Sequence, residues 1–361
     1  MEGTCGPADI SDLVQPGTHH VYVIGTEECE RSIAKSYVNS SKDKWEEKLI
    51  SGLGEEYKVI ASETLMAIHI IVFVRHDVAK HTRQVNTDKV PTGLLNGTVG
   101  NKGAVCVSCL IGSTSLLFVN AHFAAHQNHV EDRNGDYKKI VHGTTLRCDK
   151  TAISPVHKPN RLPADPTESG GSGTNQVSET KPPMPAVEPP FASQTSADAT
   201  QCFDVVFWSG DLNYRINGLR NMVDVLLKDD EYRDVLIAND QLSLERKKGN
   251  VFNGFQEGAI SFNPTYKYHK EDGKATNQYD KSGKARIPAW TDRILYKTNF
   301  PFNPSSLTLN KYYSLEKESL RVSDHRPVVA CVTLETESCL DNSIENVDLP
   351  SSENSRACVI S

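Results

Sequence analysis

The string Gly-Asp-Leu-Asn-Tyr-Arg at residues 210–215 follows an apolar run and carries side chains that could perform chemistry. Asp211 and Asn213 are two positions apart, so a carboxylate and an amide could point at one reacting atom. An Asx-type turn at the end of a strand would explain one of these polar residues, but not the pair followed by Arg215. The string therefore predicts an acidic centre at a strand end.

A second group of polar residues lies in the C-terminal third of the sequence. Asp292 begins one predicted strand, and Asp324 and His325 precede another. An Asp–His pair with further carboxylates, and with no serine or cysteine nucleophile beside it, favours attack by activated water over a covalent intermediate. The same third supplies cations for an anionic substrate at Lys267, Lys284 and Arg286. Taken together, these residues predict a phosphoesterase.

Two weaker signals also follow apolar runs. Glu28 ends the string Gly-Thr-Glu-Glu, where a carboxylate suits a hard cation, although such a string taken alone is more typical of a solvated surface. Asn120 and His122 alternate with apolar residues, so both could project to one side of a strand. Alternatively, the spacing of His122, His126 and His129 could form a zinc-binding helix face, although no nearby carboxylate or cysteine completes such a site.

Short strands and a few helices must position these residues. Predicted strands cover residues 21–24, 57–61, 65–75, 104–111 and 116–121, and predicted helices cover residues 42–53 and 126–146. The lack of a steady strand–helix–strand rhythm favours an α/β sandwich over a doubly wound sheet. Cys106 and Cys109 are three apart on a predicted strand and should face opposite sides, which argues against a shared metal.

The composition predicts one large domain with an insertion. The chain has 361 residues, of which 38% are hydrophobic, and its net charge of -7 argues against a nucleic-acid partner. Residues from about 150 to 200 are rich in Pro, Ser, Thr and Gly, which predicts a disordered insertion within a domain at residues 1–334. Residues 335–361 are polar and predict a flexible tail. No apolar run reaches the roughly 20 residues of a membrane span, and no secretory signal precedes the domain, so we expect a cytoplasmic monomer.

The strings WSGDLNYRI, PAWTDRIL and SDHRPV, in this order, resemble the inositol polyphosphate 5-phosphatase family. That family belongs to the superfamily that contains deoxyribonuclease I and the exonuclease III-type endonucleases. GNKGAV, NAHFAAH and FQEGAISFNPTYKY agree independently, and the resemblance includes the type IV phosphatidylinositol polyphosphate 5-phosphatases. The resemblance implies a deoxyribonuclease I-like, four-layer α/β sandwich, in which two mostly antiparallel sheets lie face to face between helices.

The resemblance also implies an activity and its cofactor. The enzyme would use Mg²⁺ and direct water attack to remove the 5-phosphate from soluble inositol polyphosphates or from phosphoinositide lipids, such as phosphatidylinositol 4,5-bisphosphate or 3,4,5-trisphosphate. Glu28 matches the metal ligand, Asp211 the residue that activates the water, and Asn213 the amide that orients it. His325 matches the histidine at the scissile phosphate, with Asp292 as its orienting carboxylate. The remaining matches are Asp324 near the metal, His122 on the phosphate, and Tyr266, Lys267, Lys284 and Arg286 on the neighbouring 4-phosphate.

Both ends of the sequence bear on this prediction. The family's domain begins with a strand ending in Thr-Trp-Asn, which this sequence lacks, so we expect β-sheet neighbours without a partner and an upstream start. The last four residues, beginning at Cys358, fit a C-a-a-X signal and predict a single farnesyl anchor on a membrane surface.

Two alternatives to the predicted phosphatase stay open: a nuclease of the same superfamily, and a catalytically impaired module that binds phosphoinositides.

Overall fold

The computed structural model describes residues 6–29, 42–93, 102–148, 197–299, 301–336 and 354–361, all of which belong to one compact unit. Residues 149–196, which hold almost all of the predicted insertion, lie outside the described residues. No helix within the described ranges is long and apolar enough to cross a bilayer. The strands are β1 Val21–Glu27, β2 Tyr57–Leu65, β3 Ile68–Arg75, β4 Thr82–Pro91, β5 Gly103–Ile111, β6 Thr114–His122, β7 Val205–Asp211, β8 Gln256–Glu257, β9 Tyr268–Glu271, β10 Lys274–Tyr279, β11 Asp292–Thr298, β12 Leu307–Ser314, β13 Val328–Glu335 and β14 Asn354–Ile360. The helices are α1 Asp43–Leu53, α2 His76–Ala79, α3 Val130–Gly143, α4 Arg220–Leu226, α5 Arg233–Ala238 and α6 Gln241–Lys247.

Most strands belong to two six-stranded sheets. The first sheet has the order β12-β13-β14-β1-β3-β2, and the second has the order β4-β5-β6-β7-β11-β8. Neighbours are antiparallel except for β1 with β14 and β6 with β7, which are parallel. A separate hairpin joins β9 to β10. The two sheets are therefore mostly antiparallel, as the sequence predicts.

The alternation of side chains along β3 shows how the layers pack. Ile70 and Val72 belong to the core between the two sheets, whereas Ile71 and Phe73 belong to a cluster on the outer face of the first sheet. Helix α1 covers that outer face with the buried side chains Trp45, Leu49 and Leu53. Successive strand residues point to opposite faces, so a continuous apolar strand can serve both interfaces.

The second sheet is covered in the same way by α3. Ile140 and Val141 of this helix pack against a cluster that contains Cys106, whereas Cys109 belongs to the core between the sheets. The two cysteines therefore face opposite sides, as predicted from their spacing. The layer order is helix, sheet, sheet, helix, which is the predicted sandwich.

The predicted elements differ from the structure mainly at boundaries and at polar edges. The predicted helix at residues 126–146 begins later, at Val130, because residues 123–129 form a loop beside the strand end. The strand β4 was not predicted, because its sequence TRQVNTDKVP is polar and it forms the edge of the second sheet. An edge strand can expose both polar side chains and unpaired backbone groups to water, so it shows weak apolar alternation.

The C-terminal segment departs furthest from the predicted flexible tail. Residues 354–360 form β14 in the interior of the first sheet, where Val359 lies opposite Val23 of β1 and Ala330 of β13. Strand β1 therefore has partners on both sides, β3 and β14, and the expected loss of a partner is wrong. Residues 335–361 are polar on average, so their composition does not indicate the short apolar stretch Ala-Cys-Val-Ile. In the sheet, this stretch forms backbone hydrogen bonds with a strand on each side. Cys358 is only 3% exposed, so attachment of a lipid would require β14 to leave the sheet.

Candidate active site

A cavity of about 1050 Å³ opens beside the ends of strands from both sheets. Its lining is rich in acidic and basic side chains, which distinguishes it from the apolar clusters of the core. Twelve of the lining residues carry the chemistry discussed below: Glu27, Glu28, Lys102, His122, Asp211, Asn213, Arg215, Tyr266, Lys267, Asp292, Asp324 and His325.

The register of the second sheet sets three of these residues side by side. His122 ends β6 and lies opposite Asp211, which ends β7. Asp211 in turn lies opposite Asp292, which begins β11. Neighbouring strand positions are about 5 Å apart, so this register alone brings an imidazole and two carboxylates to one edge of the sheet.

The half-buried His325 and the buried Asp292 form a charged pair. The Nδ1 atom of His325 lies 2.9 Å and 3.1 Å from the two carboxylate oxygens of Asp292. The Oδ2 atom of Asp292 also accepts hydrogen bonds from the hydroxyls of Thr265, at 2.6 Å, and Thr291, at 2.9 Å. Burial opposes the charged imidazolium, but the charges of Asp292, Asp211 and Asp324 raise the pKa of His325 to about 10. His325 is therefore a cation at neutral pH.

His122 links Asp211 to a lysine. Its Nε2 atom lies 3.3 Å from Oδ2 of Asp211 and also contacts the Nζ atom of Lys102. Burial and the charge of Lys102 lower the pKa of His122. Burial likewise lowers the pKa of Lys102 to about 8, against the attraction of Asp211 and Glu28. Burial opposes ionisation of Asp211, but its hydrogen bond with His122 and the nearby cations lower its pKa, so Asp211 is a carboxylate at neutral pH.

Asn213 completes a tight turn around Asp211. Its backbone N–H donates to Oδ1 of Asp211 at 3.0 Å, and its φ of 57° lies in the left-handed region that asparagine tolerates. Its side-chain amide donates to Asp211 Oδ2 and to the carbonyl of Phe123, each at 3.1 Å, and its Oδ1 accepts from Arg215. The Asx-type turn is therefore present together with the Asp–Asn pair, and the Asn213 side chain fixes the Asp211 carboxylate.

Of the four residues predicted to bind the 4-phosphate, Tyr266 and Lys267 line the cavity. The Tyr266 ring lies 4.5 Å from the His325 ring, and the guanidinium of Arg215 lies 4.5 Å from the Tyr266 ring centroid. Lys267 donates a hydrogen bond to the Asp324 carboxylate. Burial opposes ionisation of Asp324, but His325 and Lys267 lower its pKa. Asp324 thus lies between two cations of the site.

Lys284 and Arg286 lie apart from the cavity lining. Lys284 is exposed, and Arg286 is half-buried on the same loop. The backbone N–H of Arg286 donates to Asp280 at 3.0 Å, and its carbonyl accepts from Arg220 at 2.8 Å. The charge of Arg286 nevertheless acts on one residue of the lining, His126, whose pKa is lowered by burial and by Arg286.

The carboxylates at the strand ends fit a hard divalent cation. Burial raises the pKa of Glu27 to about 8, and the negative charges of Asp211 and Asp292 add to this shift. Carboxylate oxygens that are buried together in this way are the ligands that a hard divalent cation prefers. Glu28 lies in the same lining, close enough to act on the charges of Lys102 and His122. The donor set is therefore suited to a hard divalent cation rather than to a zinc face of histidines.

Comparison with known proteins agrees with this chemistry. A family model described as Endonuclease/Exonuclease/phosphatase family 2 matches residues 1–331. The chain belongs to the endonuclease/exonuclease/phosphatase family. It is 32% identical over 340 residues to synaptojanin-1 of Rattus norvegicus, which covers 87% of this chain and 18% of that protein. It is 31% identical over 343 residues to phosphatidylinositol polyphosphate 5-phosphatase type IV of Rattus norvegicus, which covers 93% of this chain and 44% of that protein.

A yeast relative extends the same pattern. Polyphosphatidylinositol phosphatase INP53 of Saccharomyces cerevisiae is 33% identical over 318 residues, which cover 86% of this chain and 23% of that protein. The chain therefore spans less than half the length of these relatives. Their names confirm the predicted resemblance to the inositol polyphosphate 5-phosphatases.

Solved structures with a similar fold confirm the predicted fold class. The inositol polyphosphate 5-phosphatase domain of SPsynaptojanin, solved with inositol (1,4)-bisphosphate and calcium, has a TM-score of 0.65 and 24% identity, and the match covers 99% of this chain and 82% of that one. A Cimex nitrophorin, solved as a ferrous NO complex, has a TM-score of 0.57 and 18% identity, with 90% and 91% covered. Because the same fold occurs in a ferrous NO complex, the fold alone does not fix the activity.

Three cavity residues of this family member were not predicted from the sequence as site residues. Lys102 lies in the string GNKGAV, Glu27 precedes Glu28, and Arg215 follows Asn213 by two positions. Each lies inside a string that was quoted for its neighbours, and that position is the signal that the sequence offers. Strand register and burial place these three charged side chains in the cavity, and a short motif specifies neither of them.

Proposed function

We propose that the chain is a Mg²⁺-dependent phosphomonoesterase that removes the 5-phosphate from phosphoinositide lipids or soluble inositol polyphosphates. The observation that carries this proposal is the alignment of His122, Asp211 and Asp292 on neighbouring strands, with His325 held by Asp292 in the same cavity. An anionic carboxylate and a cationic imidazole then face one space, as hydrolysis of a phosphate ester by water requires.

The charge of each site residue determines its role in this proposed reaction. Asp211, which stays ionised, accepts a hydrogen bond from the attacking water and directs its oxygen at phosphorus. His325, which stays protonated, donates to a phosphoryl oxygen and stabilises the charge that builds up there. Glu28, with Glu27 beside it, would hold Mg²⁺, which supplies Lewis-acid polarisation of the phosphoryl group. His122 keeps the second oxygen of Asp211 occupied, so that the carboxylate presents one direction to the water.

The cationic side chains of the cavity suit a substrate with more than one phosphate. Lys102 contacts His122 and Lys267 is paired with Asp324, so both ammonium groups lie in the cavity, where they can donate charge-assisted hydrogen bonds to an incoming phosphate. Tyr266 and Lys267 lie where a 4-phosphate neighbouring the scissile group could bind. Lipid substrates would bring the chain to a membrane surface without requiring the anchor at Cys358.

We expect Lys267→Ala to lower selectivity for a 4,5-bisphosphate, because Lys267 lines the cavity. It should reduce kcat/KM on phosphatidylinositol 4,5-bisphosphate on the order of 10-fold, while the loss on phosphatidylinositol 5-phosphate stays within about 2-fold, because the second substrate offers no 4-phosphate. Arg286→Ala should lose less, because Arg286 lies outside the cavity lining. Lys284→Ala should have a smaller effect, since Lys284 is exposed and its charge is screened. Lys281→Ala, on the same loop and equally exposed, is the matched control. Equal losses on both substrates would refute the 4-phosphate assignment.

We expect Asp292→Asn to move the alkaline limb of the pH–kcat profile to lower pH. The pKa of His325 is raised from 6.5 to about 10, so the Asp292–His325 pair contributes fully below pH 6.5 and is lost as the pH rises through about 10. Without the anionic partner, the imidazolium should lose its proton about one to three units earlier. The profile of kcat between pH 6 and 10, with substrate saturating at each pH, measures this shift. An unchanged limb would show that His325 does not act as a cation.

The activity itself is tested by phosphate release from water-soluble, short-chain phosphatidylinositol 4,5-bisphosphate and from inositol 1,4,5-trisphosphate. We expect release that depends on added Mg²⁺ and stops with a chelator. The product from the lipid should be the 4-phosphate, identified by chromatography against both monophosphates. Binding of the lipid without release would favour the impaired binding module, and cleavage of DNA in place of phosphate release would favour the nuclease.

A further inference from the structure

Two thiols and an imidazole meet on the outer face of the first sheet. Cys331 of β13 and Cys358 of β14 lie directly opposite each other in the antiparallel ladder. His19 lies two residues before β1, and its ring contributes a nitrogen to the same cluster. The two sulfurs and this nitrogen all lie within 4.8 Å of one another. Within the described ranges, no other group of histidine, cysteine and acidic side chains converges in this way.

The cluster is separate from the active site. None of its three residues lines the active-site cavity. Cys331 is 8% exposed and Cys358 is 3% exposed, and both pack among the apolar side chains beneath α1. The active site offers carboxylate oxygens to a hard cation, whereas this cluster offers sulfur and imidazole nitrogen, which are the ligands of softer metals. The two sites would therefore select different ions.

The imidazole of His19 is held in a defined orientation. Its Nδ1 atom lies 2.8 Å from the hydroxyl of Thr18 and 3.3 Å from the hydroxyl of Tyr22, and its ring lies edge-on to the Tyr22 ring at 5.4 Å. The Tyr22 hydroxyl in turn donates to the carbonyl of Gln15. Outer hydrogen bonds of this kind fix the ring of a metal-binding histidine and leave its other nitrogen for the metal.

We propose that His19, Cys331 and Cys358 bind a Zn²⁺ ion. In a tetrahedral site with Zn–S bonds of about 2.3 Å, the two sulfurs stand about 3.8 Å apart, a separation that the 4.8 Å cluster reaches with small side-chain rotations. Each thiol releases one proton as its sulfur binds, so that one Zn²⁺ displaces two protons to solvent. Three protein ligands leave the fourth position to water.

This site would bind the C-terminal strand to the sheet. His19 precedes β1, Cys331 belongs to β13 and Cys358 to β14, so one ion connects β14 with both strands that flank it. An ion that binds only the folded arrangement stabilises it by mass action. Binding also makes the Cys358 sulfur unavailable to any reagent that modifies thiols, so occupancy of the site and covalent modification of Cys358 exclude each other.

Co²⁺ is the probe that distinguishes this site from the active site. The full chain is reduced, its thiols are counted, and it is stripped of metal with a chelator before titration. A Co²⁺ ion bound by two thiolates gives a sulfur-to-cobalt charge-transfer band in the near ultraviolet, whereas Co²⁺ bound by carboxylates does not. We expect this band to saturate at one equivalent and to disappear when Zn²⁺ is added.

Three variants assign the band to its ligands. Cys331→Ser and Cys358→Ser should abolish it, and His19→Ala should weaken the affinity for Zn²⁺ on the order of 10²-fold. Cys109→Ser, which alters a cysteine buried in the core between the sheets, is the control and should keep the band. Circular dichroism checks that each variant is folded.

Three results would overturn the proposal. The first is a folded, reduced wild-type chain that shows no charge-transfer band, and this measurement does not depend on any variant folding. The second is a band that persists in both serine variants. The third is alkylation of Cys358, followed by mass spectrometry, at the same rate with and without Zn²⁺. Each would identify Cys331 and Cys358 as packed core thiols only.

Discussion

Replacing Asp211 with asparagine is expected to lower kcat on the order of 10²- to 10⁴-fold while leaving the fold in place. The asparagine side chain has the same shape, and its remaining oxygen can still accept the backbone N–H of Asn213 that closes the turn. It lacks the negative charge that directs the attacking water and that interacts with His122 and His325. Because binding of the substrate phosphates uses other side chains, KM should change much less than kcat. Initial rates on short-chain phosphatidylinositol 4,5-bisphosphate, with the melting temperature of each protein, measure both effects.

Asp204→Asn is the matched control for this substitution. Asp204 is also buried and directly precedes the same strand, β7, at its other end. Its carboxylate accepts hydrogen bonds from the backbone N–H and the hydroxyl of Ser115, at 2.9 Å and 2.7 Å. The control should therefore lower stability without a specific loss of kcat. Equal kcat values for the folded Asp211→Asn variant and the wild type would remove Asp211 from the mechanism.

The sequence predicted the composition of the site better than its geometry. Asp211 and Asp292 were recognised as residues at strand ends, because each adjoins an apolar run. Nothing in those strings states that β7 pairs with both β6 and β11, and that pairing is what aligns the two aspartates with His122. Strand order results from long-range packing, whereas motifs report local chemistry.

The predicted phosphate-binding group shows the same limit. Lys267, Lys284 and Arg286 were grouped because all three are cations in one third of the chain. The structure brings only Lys267 into the cavity lining, since hydrogen bonds through Asp280 fix the backbone of the loop that carries the other two. Residue type could be read from the sequence, but distance from the reacting phosphate depends on a loop conformation that residue type does not specify.

The C-terminal strand β14 was not predicted for a different reason. Composition averaged over residues 335–361 is polar, and the few apolar residues at its end form a pattern too short to recognise. In the structure, Val359 is 1% exposed and belongs to the core between the two sheets. Strand β14 pairs with β13 along its whole length and with β1 from Ala357 to Ile360. The segment therefore should behave as a core element in any measurement of stability.

We expect Val359→Asp to destabilise the chain by more than about 4 kcal/mol. Loss of the buried valine side chain costs about 1.5–3 kcal/mol, and an unpaired carboxylate in the same position adds several more. Domains are stable by only about 5–15 kcal/mol, so this variant should be largely unfolded or strongly shifted in its denaturation midpoint. Chemical denaturation followed by circular dichroism measures the change.

Arg356→Asp introduces the same side chain three residues earlier on the same strand and provides the control. Arg356 is exposed, so its replacement should cost less than about 1 kcal/mol of unfolding free energy.

The two variants should also differ in kcat, because β14 is connected to the active site. Ser361, which follows β14, exchanges two backbone hydrogen bonds with Val328 at 2.8 Å and 2.9 Å, and Val328 begins the strand that directly follows the loop carrying His325. Any folded fraction of Val359→Asp should therefore show reduced kcat, whereas Arg356→Asp keeps it. If both variants unfold at the same denaturant concentration as the wild type, β14 does not belong to the sheet in solution.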